Sequence, residues 1–378
     1  MSKNYDVIVL GAGAMGSAAA YYLSRAGQKV LLLEQFEIDH QMGSSYGYSR
    51  IIRYVYDNPI YVTLMQSAYK LWFDLQEASG KTLYIPTGGI DFGFPNVETI
   101  QETKRSLEAC NIPFEVLSPA EAEKRFPQFR FDDGMEIIYQ KDSGLISASD
   151  SVLTHIQMAE QHGAVIKANT PIQTVEISHD SVTVKSADET YSAGSLIVTA
   201  GAWAKQILGQ HGVDLPLVPE LCQLQFFAPE NMVDYEAENM PVFIGHVQEK
   251  FGRFVYGIPG KNNTGVKVAV HGGTPVEDMK SLDRNPSDEI KMLVRQFNQQ
   301  HLPGADAPII EHRTCLYTMT PDEHFIIDKH SEYDNLVFGA GFSGHGFKFS
   351  TLIGSILSDL AIEGATEHDI SLFKADRF

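Results

Sequence analysis

Three glycines within six residues, Gly11-Ala-Gly13-Ala-Met-Gly16, and an acid 18 residues beyond the last of them, Glu34, are the first groups in this chain whose types and spacing suggest a chemistry. A glycine at the first position permits a tight turn. At the second it lets backbone approach a pyrophosphate, and at the third it lets a helix pack closely on a strand. The helix that follows such a turn presents free N–H groups and partial positive charge to phosphates. Glu34 then stands where a carboxylate accepts hydrogen bonds from ribose hydroxyls, which favours FAD or NAD over a 2′-phosphorylated nucleotide. FAD and NAD share this fingerprint; its place at the start of a long chain leans toward a flavoprotein. In Gly265-Val-Lys267-Val-Ala-Val-His271 strand alternation puts Lys267, Ala269 and His271 on one face. The cysteines Cys110, Cys222 and Cys315 form no CxxC or other zinc spacing and no disulfide framework, and no HExxH is present, so no metal is expected.

The elements that must position these groups can be read from the apolar pattern. Asp6 to Leu10 is expected as a buried strand, Ser17 to Arg25 as an Ala-rich helix closed by Gly27, and Lys29 to Leu33 as a second strand delivering Glu34. Ser195 to Ala200 and Asn335 to Ala340 each read as a strand running into a glycine turn, the latter followed by a helix over 348–362. Residues 218–324, rich in Phe, Tyr and Val between turn residues, read as antiparallel sheet. An insert over 84–140 carries a strand, Gly88 to Phe94, and a helix, Asn96 to Ala109. The fold class expected is α/β, α+β overall: a discontinuous Rossmann-like nucleotide domain (1–83, 141–217 and 325–378) and a β-rich substrate domain (84–140 and 218–324). The uncharged run Val7 to Leu23 has the outline of a signal peptide, yet it is short and broken by glycines, and the nucleotide turn explains it better.

Composition narrows the function. The 378 residues carry 29 basic and 48 acidic side chains, a formal charge of −19. That balance repels nucleic-acid phosphates and anionic lipid, so neither nucleic acid nor membrane is expected as a partner. The widely spaced thiols suit a reducing cytoplasm.

The C-terminal third is more specific. Cys315-Leu-Tyr317-Thr-Met-Thr-Pro-Asp-Glu-His324, Gly341-Phe-Ser-Gly344-His345-Gly-Phe-Lys348 and the closing Thr366 to Phe373 resemble the family of monomeric sarcosine oxidases and N-methyltryptophan oxidases; Ser49-Arg50-Ile-Ile-Arg53 fits as well. The resemblance spans essentially the whole chain. It implies FAD attached through Cys315, with Gly11, Gly13, Gly16, Glu34, Ser44 and Gly344 around the cofactor. Arg53 and Lys348 match the pair that holds a substrate carboxylate, a task for which a guanidinium fork and an ammonium are suited. Lys267 matches a lysine that activates O₂, and Arg50 an arginine stacked behind the flavin. His271 and His345 match active-site histidines, and Tyr256 and Tyr317 match aromatics near the substrate. Cys110, Cys222 and His324 are expected to be structural.

The resemblance thus implies a monomeric oxidase of a secondary α-amino acid, sarcosine or another N-methyl amino acid. The C–N bond would be oxidised to an imine that hydrolyses to formaldehyde and an amino acid, while O₂ becomes H₂O₂. N-methyl-L-tryptophan, a cyclic imino acid such as pipecolate, and a dehydrogenase with another electron acceptor stand as alternatives. The chain departs from the family pattern in Gly43-Ser-Ser-Tyr46-Gly-Tyr48, where two tyrosines are expected close to the flavin or the entrance, and in Pro241 to Gly252 on the substrate side.

Overall fold

The computed structural model describes residues 3–378. Its first sheet is parallel at the centre, as expected of a chain that alternates buried strands with helices. Lys3–Leu10 lies between Val30–Leu33 and Thr190–Val198, and Val30–Leu33 pairs in turn with Val165–Lys167. Leu336–Ala340 runs parallel to the far end of Thr190–Val198, whose near end carries an antiparallel hairpin of Ile172–Ile177 and Val182–Ser186. Side chains alternate across this sheet. Val7, Val9, Val30, Leu32 and Ile197 face the helices Ala14–Arg25, Pro59–Ser79 and Ser350–Ile362, whereas Ile8, Leu10, Leu31, Leu33 and Val198 pack on the opposite side. Fully burying such a side chain stabilises the fold by roughly 1.5–3 kcal/mol, which makes this two-sided apolar sheet the main anchor of the cleft above it.

The first helix starts at Ala14, three residues earlier than the apolar pattern suggests. Gly16 is therefore helical despite its poor propensity, at a cost near 1 kcal/mol. The reason is steric: a Cβ on Gly16 would lie 1.8 Å from the Gly11 carbonyl oxygen and 2.5 Å from Thr199 Oγ1. Close approach recurs where this helix crosses Ser350–Ile362, since a Cβ on Gly354 would come within 2.4 Å of Ala18 Cβ. The helix expected over 348–362 begins at Ser350, after a short 3-10 turn Phe347–Phe349. Two helices that the sequence reading did not single out complete the layer, Pro59–Ser79 and Ala148–Gln161. The former has local signals at both ends: the Asn58 side chain accepts from Ile60 N at 3.0 Å, Pro59 opens the helix, and left-handed Gly80 ends it.

A nine-stranded sheet forms the other half. Val218–Phe227, Val255–Ile258, Val266–Val270 and Ile309–Met319 are antiparallel to their neighbours, whereas Val242–His246 runs parallel to Gly89–Gly93. That pairing joins the segments 84–140 and 218–324 in one sheet. A three-stranded sheet, Ser49–Ile52, Gly144–Ser147 and Tyr84–Pro86, pairs with neither and packs on the nine-stranded one through Ile51, Ile85 and Leu145 against Val242 and Ile258. Among the described residues no helix is long and apolar enough to cross a membrane.

Candidate active site

The glycine turn opens a deep cleft at the end of the parallel strands. Gly11 has φ +98°, and a Cβ there would meet the Thr199 carbonyl oxygen at 2.6 Å, so glycine is required at this turn. Gly13 precedes the helix and has open space beside it except for Ser45 Oγ, 3.1 Å from where its Cβ would stand. That hydroxyl accepts from Ala14 N at 2.9 Å, one of the free N–H groups of the helix N-terminus. Glu34 is buried with its carboxylate accepting from Ala12 N at 2.9 Å and Phe36 N at 3.0 Å, and His40 Nε2 lies 3.4 Å away. Burial opposes its ionisation, but the hydrogen bonds from His40, Ala12 and Phe36 outweigh it and hold the carboxyl below its usual range. Oε1 takes both Phe36 N and His40, whereas Oε2 accepts from Ala12 N alone and keeps a lone pair for a ribose hydroxyl. The cleft continues past Ser44, Ser45 and Arg50 to Tyr317, Gly344 and Phe347.

There it meets a second cavity of about 500 Å³, and Arg50, Tyr317, Gly344 and Phe347 line both. Arg50, on Ser49–Ile52, is fixed by three backbone carbonyls, those of Ser44, Tyr46 and Ser49, at 2.8–2.9 Å. Its guanidinium carbon stands 5.5 Å from the Phe347 ring centroid. Gly344, at φ +76°, is held to glycine by a neighbour within the protein: a Cβ would strike the Tyr317 ring at 2.2 Å. Tyr317 OH lies 3.1 Å from Tyr256 OH, and burial pushes both phenols well above their ordinary range.

Strand alternation holds at Val266–Val270. Val266, Val268 and Val270 enter the core, and Lys267 points to the cavity, as does His271 just past the strand end. Lys267 Nζ donates to the Ser49 carbonyl at 3.1 Å. Burial, then the Arg50 charge, pushes its amine well below the ordinary lysine range. Burial, with Lys348 and Arg53 nearby, lowers His271 to about 4, so its ring is neutral at pH 7.

Lys348 is buried and donates from Nζ to Tyr56 OH at 2.9 Å and to the His345 carbonyl at 2.7 Å. Its own carbonyl accepts from Trp72 Nε1 at 2.8 Å, which ties the loop to the helix Pro59–Ser79. Desolvation and the adjacent Arg53 pull its amine well below the ordinary range. His345 Nε2 lies 3.0 Å from the Glu323 carbonyl, which can only accept, so Nε2 carries a proton; Nδ1, 3.1 Å from Tyr56 OH, is the acceptor. Both nitrogens are thereby engaged, and desolvation keeps the ring neutral. Arg53 directly follows the strand Ser49–Ile52, with its guanidinium carbon 4.5 Å from the Tyr56 ring centroid and Nη1 3.4 Å from Asp91 Oδ2. Asp57, Asp322 and Glu323 line the exposed mouth.

The arrangement brings together Arg50, Arg53, Lys267, His271, Tyr256, Tyr317, His345 and Lys348. Sequence reasoning missed Tyr56, which bridges Lys348, His345 and Arg53, as well as Asp91 and His246. Cys315 is buried beside Cys222, its partner across the antiparallel ladder, in a small cluster with Leu224, Phe226 and Ala269. Its neighbours Leu316 and Tyr317 line the nucleotide cleft. Burial raises the Cys315 thiol, opposed by the charges of Arg50, Lys267 and Arg284. Of the two departing tyrosines, Tyr46 lines the cofactor cleft, whereas Tyr48 lines neither cavity and is 43% exposed, with the Arg313 guanidinium carbon 3.9 Å from its ring centroid. From the divergent 241–252 segment, Ile244 and His246 line the cavity. His324 also lines it and hydrogen-bonds Tyr61 OH at 3.1 Å.

A dinucleotide cleft that opens into a cavity lined by buried cations defines a nucleotide-dependent oxidoreductase. The chain belongs to the FAD dependent oxidoreductase family, whose model matches residues 6–360. It is 35% identical to a monomeric sarcosine oxidase of Bacillus sp. (strain NS-129), over 100% of this chain and 98% of that one. It is 32% identical to an N-methyl-L-tryptophan oxidase of Yersinia pestis (strain Pestoides F), over 99% and 100%. In fold it is similar to NikD, an unusual amino acid oxidase essential for nikkomycin biosynthesis, with TM-score 0.87 at 23% identity over 99% and 98% of the two chains. The family resolves the FAD-or-NAD ambiguity of the glycine motif in favour of FAD. Gly11, the free N–H groups after Gly13, and Glu34 are the groups that fit its phosphates and ribose.

Proposed function

We propose that this protein oxidises a secondary α-amino acid, sarcosine or another N-methyl amino acid, to an imine, with O₂ reduced to H₂O₂. The observation that carries this reading is the pairing of Arg53 and Lys348 in a buried cavity continuous with the FAD cleft. A half-buried guanidinium and a buried amine, with Asp91 the one carboxylate in contact with the guanidinium among the described residues, suit a ligand carboxylate. The sarcosine and N-methyltryptophan oxidase names of relatives at 32–35% identity support the same class of substrate.

Bound FAD supplies the two-electron redox capacity. The substrate carboxylate accepts from Arg53 and from Lys348 Nζ, which its negative charge keeps protonated. Tyr56 orients this anchor: its hydroxyl accepts from Lys348 and donates to His345 Nδ1. His345 therefore positions and does not take up a proton. The surrounding cations favour the neutral form of the substrate amine, the form that gives up electrons. Tyr256 and Tyr317 form part of the cavity wall. Arg50 stands where the two cavities meet, Lys267 lies next to it on the second cavity, and Lys267 provides charge for O₂ reduction. The substrate loses two electrons and two protons and O₂ gains them; water then splits the imine, giving formaldehyde and the primary amino acid when the substrate is N-methylated.

The FAD-binding segments in this reading are 1–83, 141–217 and 325–378, and the substrate segments 84–140 and 218–324, a division the two large sheets support. FAD attachment through Cys315, a monomeric state and a cytoplasmic location belong to the same proposal. Peroxide and formaldehyde formation from sarcosine in air is the test. Equal yields of both support an N-demethylating oxidase; formaldehyde formed only with an added electron acceptor refutes the oxidase and favours a dehydrogenase.

A further inference from the structure

Asp91 has no role in the chemistry derived so far, yet it is a buried carboxylate beside the anchoring cations. It stands at the centre of Gly89–Gly93, which the parallel pairing lays against Val242–His246. Its Oδ2 is 3.4 Å from Arg53 Nη1 and 3.2 Å from His246 Nε2. A carboxylate only accepts, so His246 presents its Nε2–H to Asp91, and His246 Nδ1 has no partner in the protein.

We propose that Asp91 is a positioning residue that holds the Arg53 guanidinium by one edge and offsets its charge, so that Arg53 and Lys348 stand together as cations before a substrate carboxylate arrives. This rests on the reading that Arg53 and Lys348 receive that carboxylate. The contact engages Nη1 alone, which leaves Arg53 further donors for a ligand. Two cations around one tyrosine ring, Lys348 buried and Arg53 half-buried, repel each other, and each disfavours the charged form of the other. The groups facing Lys348 are Tyr56 and Arg53, the neutral rings of His345 and His271, and Asp91, whose negative charge opposes the depression that burial and Arg53 impose. With Asp91 ionised, the pair has a net charge of one when empty and is balanced when a monocarboxylate binds.

The sign follows. Lys348 has a lowered pKa, and removing Asp91 lowers it further, so carboxylate binding must fail at a lower pH. Methoxyacetate is the probe: it is sarcosine with an ether oxygen for the amine, so it has no titrating nitrogen and cannot lose formaldehyde by this route. Calorimetric titration of the FAD-loaded protein with methoxyacetate across pH 6–10 is expected to show an alkaline limit of affinity. In Asp91→Asn that limit shifts down by about one pH unit, about tenfold weaker binding on the alkaline side. KM for the amine substrate rises while kcat changes little. An Asp91→Asn protein that binds methoxyacetate with the wild-type pH profile, or more weakly by the same factor at every pH, overturns the proposal. If Asp91→Asn does not fold, Asp91→Glu decides: the displaced charge should keep the wild-type alkaline limit and weaken binding several-fold, and wild-type affinity throughout overturns the positional claim. Absence of methoxyacetate binding to the wild type would instead remove the carboxylate anchor on which the proposal stands.

Discussion

Replacing Lys348 by methionine separates the energetic roles of a buried amine more cleanly than any other change in this site. Two effects oppose each other in the folded protein. Lys348 Nζ donates two hydrogen bonds, to Tyr56 OH and the His345 carbonyl, and a buried acceptor left without a donor costs about 1–3 kcal/mol. Against this, placing an ammonium in a buried site costs several kcal/mol, and methionine of similar length removes that cost and fills the space. The two are of similar size, so urea unfolding should shift by no more than about 2 kcal/mol in either direction. Carboxylate binding has no such cancellation. A charge-assisted hydrogen bond contributes about 1.5–3 kcal/mol, which predicts a loss of affinity between roughly tenfold and a hundredfold. Urea melts and calorimetric titration with methoxyacetate measure both quantities on one preparation. A Lys348→Met protein that loses more than about 4 kcal/mol of stability while keeping its affinity would refute the reasoning, because it would make Lys348 a structural residue.

Three further outcomes are expected, the second of them from the proposed Cys315 link. Gly16→Ala would place a methyl group 1.8 Å from the Gly11 carbonyl, so the glycine turn must shift; FAD content of the purified protein should fall several-fold, measured as the ratio of flavin to protein absorbance. Cys315→Ser should leave FAD fully extractable by acid precipitation, whereas the wild type should keep it in the pellet; flavin released equally from both would remove the covalent link. His155 lies fully buried between Tyr21 and Trp72 with Nε2 unpartnered, and burial depresses it to about 3. The folded state thus binds fewer protons than the unfolded one between pH 6.5 and 3. Stability must fall as pH drops through that window, by up to about 5 kcal/mol at its lower end. His155→Leu should flatten this part of the urea-melt profile.

What could be read from the sequence was local, and what escaped it was assembled from distant segments. Gly11, Gly13, Gly16 and Glu34 act through one strand–turn–helix–strand unit, so their spacing alone describes the turn. Lys267 was placed correctly by alternation because Val266, Val268 and Val270 form an unbroken apolar face. The helix start was misjudged by three residues because Ala14-Met-Gly16 reads as loop until the contact of Gly16 with Gly11 and Thr199 is seen. Asp91 and His246 carry no sequence signal: they lie 155 residues apart, and only the parallel pairing of their strands makes them neighbours. Tyr56 escaped for the same reason, its partners Lys348 and His345 being about 290 residues away. For Tyr46 and Tyr48 sequence could flag a departure but not that Tyr46 lines the cofactor cleft while Tyr48 lines neither cavity, since both pack on Arg313 of a strand far along the chain.

The most direct test of the central claim is anaerobic mixing of the FAD-loaded protein with sarcosine, N-methyl-alanine, N-methyl-tryptophan, proline and pipecolate, and in parallel with dimethylamine, which has the secondary amine and no carboxylate. The account predicts rapid bleaching of the flavin absorbance by at least one of the amino acids and none by dimethylamine at the same concentration. Bleaching by dimethylamine as fast as by the amino acids would contradict the carboxylate anchor at Arg53 and Lys348, and a flavin that none of them bleaches would contradict amine oxidation itself.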